Sequence, residues 1–127
     1  MAERIPRSGA GMRWDELKHT LEPALDGSHT LEDVWDEIKS GRAAFWPFPN
    51  SAVVTQVCEY PQLRVLRVWL AGGRLEELER AFGFMDELAE ELGCQRIEID
   101  GRKGWGKVLK DFEAKRVVYT KEVSNGR

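Results

Sequence analysis

The stretch from Leu63 to Asp100 constrains the fold more than any other part of the chain. It opens with LRVLRVWLA, in which Leu63, Val65 and Trp69 face one way and Leu66, Val68 and Leu70 the other. Apolar residues on both faces predict a central strand covered on both sides. The run stops at Gly72 and Gly73. Leu75, Leu78, Phe82, Met85, Leu88 and Leu92 then recur at helical spacing as far as Gly93. Gly83, inside that pattern, predicts a kink or a tight packing point. CQRIEID follows and alternates, with Ile97 and Ile99 inward and Arg96, Glu98 and Asp100 on the opposite face. Strand, helix and strand in this order require a right-handed crossover with the helix packed on the sheet.

The flanking segments extend this frame. Trp14, Leu17, Leu21 and Leu25 share one face of a short helix that ends at Gly27. Thr30 caps a second helix, with Asp33 as an approximate capping-box partner. Leu31, Val34, Trp35 and Ile38 form its buried face, and Gly41 is its stop. AAFWPFPNS contains Pro47 and Pro49, so it reads as an edge strand or an irregular segment. SAVVTQVCEY and LRVLRVWLA flank YPQ and predict an antiparallel hairpin. After Asp100, GWGKVLKDF reads as a short helix and KRVVYTKEV as a last strand. The fold class is α/β (α+β), with a mixed sheet and helices on both faces. A single domain is expected over 12–123, with a flexible arm over 1–11 and a polar tail over 124–127.

Composition narrows the function classes. At 127 residues, 42% hydrophobic and 32% charged, the chain suits one soluble globular core. The net charge of −3 argues against nucleic acid as the main partner, although basic residues gather between Arg96 and Arg116. That cluster reads as a solvated surface, with a nucleic-acid adaptor as the competing reading. Cys58 and Cys94 lack metal-ligand spacing and read as two buried free thiols in a reducing compartment. No metal is expected. The N-terminal stretch has no apolar core of a secretory signal, and no run approaches the ~18 residues of a membrane span. A cytoplasmic protein is expected. No Ser-His-Asp, Cys-His or Walker pattern supports a hydrolase or nucleotide-triphosphatase.

The glycine turn carries two open readings. Backbone N–H groups at a strand-to-helix turn can cradle a phosphate, and Gly72, Gly73 and Arg74 allow close approach and add positive charge. Glu76 and Glu77 occupy the helix's first turn, where acids already complement the dipole, so the same residues can form a bare corner.

From Leu63 to Val123 the chain resembles the second half of the GNAT (Gcn5-related N-acetyltransferase) superfamily. The resemblance is carried in order by RVLRVWLA, LAEELGCQRIEID, GWGKVLKDF and RVVYTKEV. More narrowly, WLAGG with GRKGW is similar to small GNAT-like proteins of bacteriophages and prophages. The family grips the acyl-CoA pyrophosphate at the turn after its central strand. The resemblance therefore implies acetyl-CoA as cofactor, with Leu70, Ala71, Gly72, Gly73 and Arg74 lining its site. This chain's turn is shorter than the family's Arg/Gln-x-x-Gly-x-Gly/Ala signature.

An amine acceptor must lose a proton, which suits a carboxylate. Glu98 and Asp100 lie near where the resemblance puts the acceptor cleft, with a solvated face paired to Arg96 or Arg102 as the alternative. The resemblance also suggests Tyr119 as the acid for the leaving thiolate, with a packing role as the alternative. Arg102, Lys103 and Trp105 in GRKGWGK, with Trp46 in FWPFPN, are candidates for a ligand or partner surface. Trp105 reads equally as a plug at the sheet end, and Trp46 as core. The leading expectation is an acyl-CoA-dependent N-acyltransferase with an acyl acceptor as partner. The other is a non-enzymatic virion or accessory protein that contacts phage assembly proteins.

Overall fold

The hairpin around Tyr60–Leu63 is the centre from which the sheet is built. The computed structural model describes residues 10–100, 105 and 109–123. Strand β2 (Ala52–Glu59) pairs antiparallel with β3 (Arg64–Gly72), and the turn closes with Tyr60 N donating to Leu63 O at 2.9 Å. Strand β1 (Ala44–Pro47) adds antiparallel to the outer side of β2. Pro47 lacks an N–H and is tolerated because it ends an edge strand. Helix α3 (Leu75–Glu91) crosses over the sheet, and β4 (Arg96–Ile99) returns parallel to β3. The order is β1-β2-β3-β4. This mixed, mostly antiparallel sheet with helices is the expected architecture.

Each face of the sheet has its own core. On one face Leu78, Phe82, Met85 and Leu88 of α3 pack against Val53, Leu66 and Val68. The other face is covered by α1 (Ala10–Leu17), a 3-10 helix (Lys18–Ala24) and α2 (Leu31–Lys39). There Trp14, Leu17, Leu21 and Val34 meet Phe45, Val54 and Leu70. Burying a side chain of this size contributes about 1.5–3 kcal/mol. Trp14 stacks on Trp35 with centroids 5.1 Å apart and rings 19° from parallel, which ties α1 to α2. The capping box of α2 is complete. Asp33 N donates to Thr30 Oγ1 at 3.1 Å, and Thr30 N donates to Asp33 Oδ2 at 2.9 Å.

Several expectations are corrected. Leu70 does not share a face with Leu66 and Val68. The register slips between Val54 and Thr55, which face Leu70 and Val68, so Trp69 is an extra residue in β3. This bulge flips the alternation. Leu70 joins the α1–α2 core, and Ala71 joins the α3 core. The first helix does not run on regularly to Leu25. After Leu17 it tightens to a 3-10 helix that contains Pro23, whose ring would clash with the carbonyl four residues back in an α-helix. Helix α3 runs uninterrupted through Gly83, which does not mark tight packing, because a Cβ there would meet nothing within 4 Å. Cys58 and Cys94 are free but only half-buried.

The C-terminal part departs furthest from expectation. Residues 112–123 have no regular secondary structure, and Val117, Val118, Tyr119 and Val123 are exposed. β-branched composition favours a strand only where a neighbour packs against it. Four of the nine residues of the helix expected in GWGKVLKDF lie outside the described residues. Its end is a turn, with Leu109 N donating to Trp105 O and Phe112 N to Leu109 O, both at 3.1 Å. Helix α1 begins at Ala10, inside the arm expected over 1–11, while residues 1–9 and the tail lie outside the described residues.

Candidate functional site

The β3–α3 turn is shaped by what packs beneath it. Gly72 is the last residue of β3 and faces Ala52 in the hairpin register. A Cβ on Gly72 would overlap the carbonyl oxygen of Thr20 in the 3-10 helix. Gly73 has φ +128°, and a Cβ there would overlap the Ser51 side chain. Both glycines thus have a reason in the protein's own close approach.

Ser51, fully buried, organises the turn. Its hydroxyl accepts from Arg74 N at 2.8 Å and donates to the Glu77 carboxylate. Glu77, only 8% exposed, also accepts from Asn50 N at 3.0 Å and Asn50 Nδ2 at 3.5 Å. The Ser51 hydroxyl, then the Asn50 donors and the Arg74 charge, hold Glu77 below the ordinary carboxylate range against the opposing effect of burial. An anion is therefore fixed in the first turn of α3. The outer lip differs. Gly73, Arg74, Leu75 and Glu76 are exposed, and the N–H groups opening a helix have no intrahelical acceptor. Arg74 is the cation of that lip, and Glu77 opposes an anionic ligand from beneath.

The candidate carboxylates lie on β4. Because β3 and β4 are parallel, Asp100 falls at the same end of the sheet as the turn. Asp100 N donates to Val68 O at 3.4 Å, four residues before Gly72, or roughly 13 Å along the strand. Asp100 is exposed and pairs with Arg67 Nη2 at 3.4 Å. Glu98 is half-buried between Arg96 Nη1 at 3.6 Å and Arg116 Nη2 at 3.4 Å. The Arg96 pairing is the one expected for a solvated face.

The remaining candidates are scattered. Tyr119 is 90% exposed on the irregular C-terminal segment. Trp105 packs on Phe82 at 5.7 Å and borders the α3 core, as a plug at the sheet end would. Trp46 is core, and its indole N–H donates to Thr55 Oγ1 at 2.9 Å. Leu70 and Ala71 are buried, and Arg102 and Lys103 lie outside the described residues. An open cleft of about 460 Å³ runs along β1 and the far end of β2, lined by Trp46, Thr55, Val57 and Leu92. It shares no residue with the turn or β4.

Sequence reasoning missed Ser51, Asn50 and Thr20, whose roles depend on contacts distant in the chain. It also missed Arg67, which donates to Gln56 Oε1 at 3.2 Å as well as pairing with Asp100. A charge inside an otherwise apolar strand was the available signal. Among the described residues no group of three or more His, Cys, Asp or Glu is gathered for a metal. No helix there is long and apolar enough to cross a membrane.

No protein-family model and no curated protein matches the chain. Solved structures do. TTHA1254 from Thermus thermophilus superposes with a TM-score of 0.62 for the wild type and 0.63 for a point mutant. Both are 17% identical and cover 91% of this chain and 94% of theirs. Glucosamine-6-phosphate N-acetyltransferase from Arabidopsis thaliana gives a TM-score of 0.60 at 12% identity, over 82% of this chain and 86% of its own. The fold is therefore GNAT-like.

Proposed function

We propose that the chain is a GNAT-type N-acyltransferase that binds acyl-CoA at the β3–α3 turn. The observation that carries this reading is the exposed lip Gly73–Glu76. It opens a 17-residue helix beside a cationic side chain, in a fold shared with an N-acetyltransferase. The Leu75 and Glu76 N–H groups and the Arg74 side chain would hold the CoA phosphates, and the bound cofactor would supply the activated acyl group. Asp100, at the same end of the sheet, is the favoured residue to accept the acceptor amine's proton, with Arg67 orienting its carboxylate. Glu98, tied to two arginines, is the less available of the pair. The acceptor is an amine whose wider structure is open.

Isothermal titration with acetyl-CoA tests this directly. Saturable binding that weakens in Arg74→Ala is expected, and Glu76→Gln should tighten it about twofold to fivefold by removing a like charge from the helix start. Absence of heat at millimolar ligand would overturn the reading.

A second reading is favoured by the Ser51–Glu77 clamp, which satisfies the inner side of the turn without any ligand. On that reading the protein is a non-enzymatic accessory or virion component of phage type. Its expected signature is co-purification with assembled particles, and absence from them would remove it.

A further inference from the structure

Charge is uneven along the polar face of β4. Arg96, Glu98 and Asp100 alternate with Ile97 and Ile99, which border the α3 core, so the three polar side chains stand on the opposite face. The parallel register sets Glu98 beside Arg67 and Arg96 beside Val65. Passing down the sheet from the β3–α3 turn, Asp100 therefore comes first, and Glu98 lies about 7 Å beyond it.

At the nearer position Asp100 meets one cation, Arg67 Nη2 at 3.4 Å, and that guanidinium is also tied to Gln56 Oε1 through Nη1. At the farther position Glu98 Oε2 lies between two cations, Arg96 Nη1 at 3.6 Å and Arg116 Nη2 at 3.4 Å. Among the described residues neither of these arginines meets a second carboxylate, so this end is left with one positive charge in excess. Both side chains are exposed, 51% for Arg96 and 77% for Arg116. A guanidinium carries more N–H donors than one carboxylate oxygen uses, so both keep donors for a second oxyanion.

We infer that the acyl acceptor is an amine that also carries a carboxylate, about 6–7 Å from the reacting nitrogen, an assignment that rests on the acyl-transfer reading. The amine sits at Asp100, and the carboxylate sits beside Arg96 and Arg116 in the manner of Glu98. A monoanion matches the single excess charge. An acceptor with a second amine at that end would meet two guanidiniums instead, so the same pair selects against polyamines.

Two amines of nearly equal basicity test this: 5-aminopentanoate, whose extended chain suits the spacing, and pentylamine, which lacks the carboxylate. Thiol release from acetyl-CoA should give 5-aminopentanoate a kcat/KM about fivefold higher, an advantage that shrinks at high salt. Arg116→Gln, on an exposed irregular segment where the fold is not at risk, should bring the ratio close to one through KM. Glu98→Gln removes the competing carboxylate and should raise the ratio, a gain that no loss of structure produces. Equal kcat/KM for the two amines, or turnover of neither, in a protein that binds acetyl-CoA overturns the carboxylate subsite while cofactor binding stands. A ratio unmoved by Arg116→Gln overturns it too. Failure of acetyl-CoA to bind removes the acyl-transfer reading itself, and this acceptor class with it.

Discussion

Ser51 does two jobs with one hydroxyl, accepting from Arg74 N and donating to Glu77. Ser51→Ala should cost about 1–3 kcal/mol in a urea titration, since two hydrogen bonds go and the Arg74 N–H loses its acceptor. It should also bring the Glu77 carboxyl back toward its ordinary range. Because that carboxyl is held low in the folded chain, its contribution is complete above about pH 4–5 and is lost as pH falls through the depressed value. Urea midpoints should therefore drop on acidification below that window, and drop less steeply in Glu77→Gln. Gly72→Ala should be harsher, about 3 kcal/mol, since the new methyl meets a backbone carbonyl that has little room to move. Gly72 and Gly73 were visible in the sequence as a turn. Their real neighbours were not, because Thr20 and Ser51 reach them only through the folded sheet; Ser51 is 23 residues from the amide it accepts.

At the scale of elements, local chemistry was readable wherever its partners are close in sequence. Thr30 and Asp33 announced their box, and the hairpin announced itself in YPQ. The Trp69 bulge did not, because a slipped register depends on the neighbouring strand and leaves the apolar composition of β3 unchanged. The closing strand failed for the same kind of reason, since β-branched residues at 117–123 state a preference that only a neighbour can realise. Gly83 shows the opposite error, a residue with no structural demand upon it. Gly83→Ala should stabilise the protein by about 1 kcal/mol, because the helix gains propensity and the methyl meets nothing. A raised urea midpoint with unchanged slope is the expected result.

Across the whole molecule, one sheet serves two cores, and β2 and β3 contribute side chains to both. Neither core can come apart while those strands remain paired, so unfolding should be a single cooperative transition. Met85→Ala and Leu21→Ala each empty a fully buried position on opposite faces. Each should cost about 2–5 kcal/mol in calorimetry or urea titration, and the double variant should equal their sum within about 0.5 kcal/mol. The layered architecture was legible from the apolar faces of β3 and α3, whereas the clamp under the turn needed coordinates. The Trp14–Trp35 stack has an optical consequence. Two indoles this close couple their excited states, and where their transition dipoles are skewed the folded chain carries an exciton couplet in its ultraviolet dichroism. That signal vanishes when α1 leaves α2, giving an optical reporter located in the N-terminal layer.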